Sequence, residues 1–393
     1  MRVYTGDLDL PTQSAVNAFH YTEVTGNLTI GNSVSPEEIK DLSALSTLTR
    51  VGGNLILHGN EALANIDGLN ALRSVGGDLE FLNNPALGNV DGLSALTEIG
   101  GELYFFKSYS LRNLYGLSSL TTVGGSVGFA YGTHVGPGAT ALTTIGGDLT
   151  LVEVAVDGSD GLFPKLTTIG RGLGIYQAGG LRNLDGLSAL TSVGGGVFLR
   201  EDVELENING LSSLTTVGGG LLLFYLPKLA DLNGLSALTS LGGDVTIQFN
   251  SLLENYCDLW GLLSAGGPGG EVNIAFNAAN PTVEEIIAAG PCVIDTDGDG
   301  VPDDQDNCAS SDLRPTVWIL NCDSGVLNRA DGNGCSVADR VAAIIAQAAT
   351  GARNHGQFVS RTARALNVLV SDGLISQAEH QALMGCVGSY RPR

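Results

Sequence analysis

Two hydrophobic patterns alternate along the first three quarters of the chain. In the stretch from Gly76 to Ile99, GGDLEFLNNPALGNVDGLSALTEI, apolar residues first alternate with other residues (Leu79, Phe81) and then recur singly (Leu87, Leu93, Leu96). The alternation predicts a strand with one buried face. It returns at Leu103/Phe105, Leu149/Leu151, Val197/Leu199 and Val245/Ile247. The apolar residue before each glycine corner falls at Val51, Val75, Ile99, Val123, Ile145, Ile169, Val193, Val217 and Leu241, a spacing of 24 residues with one coil of 22. Weaker copies flank the run at 24–27 and 269–272, giving about ten coils. The later leucines of a 24-residue unit cannot form a core alone and must stack on their counterparts one coil away. The expected fold is mainly β, a parallel β-solenoid.

The polar positions mark the corners. Paired glycines, such as Gly76-Gly77, predict a place needing positive φ or close backbone approach, and Asp91-Gly92, Asp185-Gly186 and Asn209-Gly210 predict a second turn. Asn60, Asn84, Asn250 and Asn277 recur just after the strand, where an amide side chain bonds turn backbone. Residues 1–50 read as a capping coil with a short helical turn at 35–39. Gly132–Ala139, with Pro137 and no Asp-Gly corner, reads as an irregular loop. At the far end Asn255–Leu263 and a short helix Thr282–Ala289 read as a closing cap.

This repeat resembles the receptor L-domain family, the leucine-rich solenoids of growth-factor receptor ectodomains, in long bacterial versions. The resemblance covers about Val3 to Pro291 and implies a right-handed solenoid over residues 1–292. It implies a binding function without naming the ligand, because such solenoids recognise very different partners.

Composition narrows the partners. The chain has 393 residues, 56 of them glycine, with 43% hydrophobic content, so it can bury a large core. A formal charge of −22 from 41 acidic and 19 basic side chains argues against nucleic acid, which needs clustered Lys and Arg. It favours solubility and calcium-rich surroundings. No apolar run of about 18 residues predicts a membrane span. The start, MRVYTGDLDLPTQ, lacks the basic and apolar regions of a signal peptide; because relatives of this type are exported, the expectation is a signal trimmed or lost, and a secreted or cell-surface location.

After Cys292 the pattern changes to Asp295-Thr296-Asp297-Gly298-Asp299-Gly300-Val301-Pro302-Asp303-Asp304-Gln305-Asp306-Asn307-Cys308. Carboxylates at loop positions 1, 3, 5, 9 and 12 (Asp295, Asp297, Asp299, Asp303, Asp306), glycine at 6 and the Val301 carbonyl at 7 match the ligand spacing of a calcium loop. A hard dication needs six or more oxygens; the alternative is a solvated acidic linker. The stretch also resembles a thrombospondin type 3 repeat, which implies Ca2+ as the cofactor over 293–310. One such repeat makes a calcium clip.

Residues 311–393 read as a small helical module. Ser336 starts a helix to about Thr350, a second runs from about His355 to Ser371, and Ser376-Gln377-Ala378-Glu379 is a capping box for a third. The segment resembles a C-terminal domain of bacterial exported proteins, with Asn321–Gly325, Asp331–Cys335 and Asn354–Ser360 as landmarks. Two further cysteines are usual there; Ala348 and Arg361 occupy those places.

The six cysteines, Cys257, Cys292, Cys308, Cys322, Cys335 and Cys386, match no zinc spacing, and their even number favours disulfides over buried thiols. The reading pairs Cys257 with Cys292 across the end cap. The other four allow three connectivities, and the pairing taken is Cys308 with Cys322 and Cys335 with Cys386.

No phosphate-cradling loop, H-E-x-x-H or G-x-S-x-G occurs, and the histidines are scattered, so a non-enzymatic protein is expected. His355 reads as a turn anchor. The leading expectation is an exported binding or adhesion module for an extracellular protein or glycan; the alternative is a structural surface or matrix spacer. Ice binding would need a flat threonine ladder, and the first outward column, running through Ile56, Glu80, Tyr104, Gly128 and Thr150, is too irregular. Tyr104, Phe106, Tyr176, Phe198, Leu222 and Phe224 are expected on the outer strand face as a partner-binding or self-association surface, unless a loop or the C-terminal helices cover it.

Overall fold

The computed structural model describes residues 2–31, 38–156, 162–292, 302–303, 305–308, 310–330, 334–350 and 352–389. The chain divides into two compact units, Met1–Pro291 and Cys292–Arg393.

The first unit is a parallel β-solenoid. Each regular coil supplies a two-residue strand, such as Ser74–Val75, a glycine corner, a four-residue strand, such as Leu79–Leu82, and a 3-10 turn, such as Asp91–Leu93. Stacking these gives one all-parallel sheet of 11 short strands and another of 12 longer ones. Register is strict, with Leu103 opposite Leu79 on one side and Val127 on the other. The alternation read from the sequence decides the faces: Leu79 and Phe81 are buried, whereas Glu80 and Leu82 look outward and are half-buried. Burying one face of every strand against the next turn's leucines makes a single core along the coils. Within it Phe81, Phe105 and Phe129 stack nearly parallel, with centroids 4.6 and 5.2 Å apart.

The paired glycines are required by close approach, for they do not carry positive φ. A Cβ on Gly100 would lie 2.2 Å from the Gly76 carbonyl oxygen, and one on Gly92 would lie 1.9 Å from that of Ile66. Side chains at the corners knit the coils together. The Asp78 amide donates to Asn54 Oδ1 (2.9 Å) and the Glu102 amide to Asp78 Oδ1 (2.8 Å). A second ladder runs through the recurring asparagines. Asn84 Nδ2 donates to the Leu57 carbonyl (2.8 Å) while its Oδ1 accepts the Asn60 amide; Asn250 does the same with the Leu223 carbonyl (3.1 Å) and the Leu226 amide (2.9 Å). These bonds satisfy turn groups that water cannot reach.

The N-terminal cap contains a helix that the hydrophobic pattern did not announce, Gln13–Asn17, with the Thr12 hydroxyl accepting from the Ala15 amide. Of the helical turn expected at 35–39, residues 35–37 lie outside the described residues. The irregular 22-residue coil replaces its 3-10 turn with a short strand, His134–Val135, paired in parallel with Ala155–Val156. At the other end, Val283–Ala289 is a helix with a complete Thr282/Glu285 capping box.

The described residues of the second unit include the helices Val337–Thr350, His355–Ser371 and Gln377–Ser389. The expected capping box is present, with the Ser376 amide bonded to Glu379 and the Glu379 amide to the Ser376 hydroxyl. His355 Nε2 bonds the Gly388 carbonyl at 3.2 Å, tying two helix ends together. The unit also contains an antiparallel hairpin, Thr316–Ile319 with Cys322–Leu327, absent from the sequence reading.

That hairpin overturns the cysteine pairing expected for this unit. The disulfides are Cys308–Cys335 and Cys322–Cys386, in place of Cys308–Cys322 and Cys335–Cys386. Because the chain reverses between Ile319 and Cys322, the second strand packs on helix Gln377–Ser389 and carries Cys322 to Cys386. The segment around Cys308 is instead drawn to Cys335: the Ser311 hydroxyl lies within hydrogen-bonding distance of both the Gly334 carbonyl (2.7 Å) and Asp339 (2.7 Å), which also accepts the Ser336 amide. Cys257 and Cys292 are each disulfide-bonded, and no cysteine is free.

Candidate functional site

The outer face of the 12-stranded sheet carries the six residues singled out from the sequence. Their strand positions alternate outward, and all six are half-buried. Register fixes two outward columns: Tyr104, Gly128, Thr150, Gly174, Phe198 and Leu222 form the first, and Phe106, Ala130, Val152, Tyr176, Arg200 and Phe224 the second.

Their burial has a local cause. The Tyr104 ring lies over Gly128, so that a Cβ there would come within 2.7 Å of it; Tyr176 lies over Gly174 (2.7 Å), and the Phe198 ring over Gly196 (2.4 Å). Rings lie down on the bare backbone where glycine leaves room. Tyr104 and Phe106 are 6.4 Å apart, Lys107 Nζ sits 5.1 Å over Phe106, and the Arg200 guanidinium sits 5.3 Å over Phe224.

A third column was missed. In every coil from Asn83 to Phe276 the residue that follows the long strand adopts a left-handed backbone, with φ between 50° and 62°. The column includes Tyr131, Tyr225, Phe249 and Phe276, the last 68% exposed. Phe249 packs edge-on to Phe224 at 5.3 Å and stacks on Phe276 at 4.8 Å, while Tyr131 contacts Phe106 at 5.4 Å. Strand alternation ends one residue earlier, so it could not assign these side chains a face; the fixed place in the repeat was the available signal.

Two aromatic groups thus occupy the face, with a polar stretch between them. There a shallow trough of about 200 Å³ is lined by Val152, Glu153, Tyr176, Gln177, Arg200 and Glu201. Gln177 and Arg200 both bond Glu201, at 2.6 and 2.8 Å, and hold its carboxyl below the usual range. Beside the first aromatic group, burial and then the Asp78 carboxylate push the carboxyls of Glu80 and Glu102 up. Burial, then Glu102, pushes the Tyr104 phenol up as well. For Tyr176, burial outweighs the opposing Arg200 charge and the phenol is again raised.

Of the residues expected from the sequence to hold calcium, Asp295, Asp297, Asp299 and Val301 lie outside the described residues. Asp303 and Asp306 are described. Asp306 Oδ1 accepts the Cys308 amide at 2.6 Å, and its other oxygen, Oδ2, is buried with no hydrogen-bond partner among the described residues. An orphaned carboxylate oxygen at the last position of the loop fits a cation donor set.

No helix among the described residues is long and apolar enough to cross a membrane. Comparison of the chain with protein-family models and with curated proteins finds no match.

Proposed function

We propose that the chain is an exported, calcium-binding, non-enzymatic binding or adhesion protein of the receptor L-domain-like, leucine-rich type, which uses the outer face of the 12-stranded sheet to recognise an extracellular protein or a glycan. The observation that carries the reading is the line of aromatic side chains along that face, from Tyr104, Phe106 and Tyr131 to Phe224, Tyr225 and Phe249. Solenoids keep such positions polar when they only need solvation, and exposed aromatic groups beside charged ones are the composition of interaction sites. The disulfides fit an oxidising compartment.

Calcium is the second part of the proposal. Asp295, Asp297, Asp299, Asp303, Asp306 and the Val301 carbonyl would hold it, in a thrombospondin type 3-like repeat, and the ion would relieve repulsion among the carboxylates. The affinity expected of extracellular modules is roughly 0.1–1 mM.

Protein and glycan arrays probed with the intact chain, with and without millimolar calcium, test both parts. A ligand should be captured, and Phe198→Ser/Phe224→Ser should weaken capture at least about tenfold while circular dichroism stays unchanged. Capture that the double variant does not reduce would remove the face from the proposal, and no capture under any condition would leave the spacer reading. Calorimetry with Asp299→Ala reads the calcium part separately.

A further inference from the structure

The asparagine ladder has one acidic rung. Asp202 occupies the position held by Asn84 and Asn250 in other coils, is 1% exposed, and accepts the Ala178 amide through Oδ1 at 2.6 Å, as Asn250 accepts that of Leu226. With Oδ1 placed like the asparagine oxygens, its second oxygen corresponds to their Nδ2. That Nδ2 donates to the carbonyl 27 residues earlier, Leu57 for Asn84 and Leu223 for Asn250. The strand register aligns Leu223 with Leu199 and Leu199 with Ile175, so the corresponding carbonyl for Asp202 is that of Ile175. Asp202 Oδ2 is buried and has no hydrogen-bond partner among the described residues. A carboxylate oxygen opposite a carbonyl oxygen repels it, whereas a carboxylic acid donates to it.

We propose that Asp202 completes the ladder as a neutral carboxylic acid donating to the Ile175 carbonyl, and that its ionisation opens this rung, making the joint between the coil of Tyr176 and the coil of Arg200 and Glu201 sensitive to pH.

The surroundings agree. Burial is the main cause that raises the carboxyl, to about 7, against the opposing backbone amides of Ala178 and Arg200, and Glu201 raises it further. From the adjoining coils, Ala178 and Leu226 occupy the same ladder position and bring no charge. Arg200 and Lys228 are engaged elsewhere, Arg200 with Glu201 and Lys228 with Glu204 at 2.6 Å. The sign follows from proton counting. Between the unperturbed value of 3.8 and about 7 the folded chain holds a proton that the unfolded chain has lost, so stability falls as pH rises through that window and is level above it.

The test compares the intact protein with Asp202→Asn, the residue used at the equivalent rungs. The unfolding temperature of the variant should exceed that of the parent by a margin that grows from about pH 4 to about pH 7 and then stays constant, and the Ala178 amide should lose protection from hydrogen exchange above about pH 7 in the parent but keep it in the variant. The reciprocal change, Asn250→Asp, should transfer the same pH dependence to the Leu226 amide. Parallel stability curves for parent and Asp202→Asn across this range, or no pH dependence in Asn250→Asp, would overturn the assignment.

Discussion

Glu153 shows what a single residue concedes to the coil. Its φ of 50° lies in the left-handed region, where a side chain crowds its own carbonyl, and its side chain is exposed on the trough. Replacing it with glycine, Glu153→Gly, is expected to raise stability by about 1 kcal/mol, because relief of the left-handed strain exceeds the added chain entropy. Chemical denaturation checks this, and a loss of stability would mean that the carboxylate supports the fold. The requirement was invisible in the sequence, since glutamate, glutamine, tyrosine and phenylalanine fill the column and nothing marks it as a turn. The glycine columns were visible, but their reason was not: Gly92 and Gly100 are fixed by a neighbouring carbonyl, which only the stacked coils bring near.

At the scale of the element, the four-residue strand is the best-determined part of the molecule. Its inward residues sit on identical positions above and below, so the stack Phe81–Phe105–Phe129 fills one column of the core. Truncating the middle ring, Phe105→Ala, should cost about 3–5 kcal/mol by opening a cavity that the coils on both sides cannot close; guanidinium titration reads it, and a cost below about 1 kcal/mol would show that the stack repacks. These strands were legible because alternation and period agree. The hairpin of the second unit was not. Asp323, Ser324 and Gly325 lie inside the strand Cys322–Leu327, where strand propensity is poor, and its register is shifted between Thr316 and Trp318. Tertiary packing overrides propensity there, and a wrong cysteine pairing followed from not seeing it. On the candidate site, the outward columns were legible down to the residue, while the tilt of Tyr104 and Phe198 over glycine and the third aromatic column needed coordinates.

Across the whole molecule, stability has two different sources. The second unit is small, and its bridges close long loops. The Cys322–Cys386 bond spans 64 residues, and removing it with Cys322→Ser/Cys386→Ser should cost about 4 kcal/mol in the chain-entropy estimate. Faster hydrogen exchange in helix Gln377–Ser389 is the expected readout; unchanged protection would assign that helix to packing alone. The solenoid needs no such bridge between its middle coils, because every coil is held by the one before and the one after through the two parallel sheets, with corner side chains such as Asn54 and Asp78 and the asparagine rungs adding bonds where they occur. Strand register repeats unchanged from coil to coil, each inward residue lying opposite an inward residue of the next. The joint between any two coils is therefore interchangeable, and the 22-residue coil shows that even a shortened copy can be seated if it brings its own strand pairing. The number of coils is then free to change by duplication or loss of whole units in the gene, lengthening or shortening the outer aromatic face without any new core having to be invented.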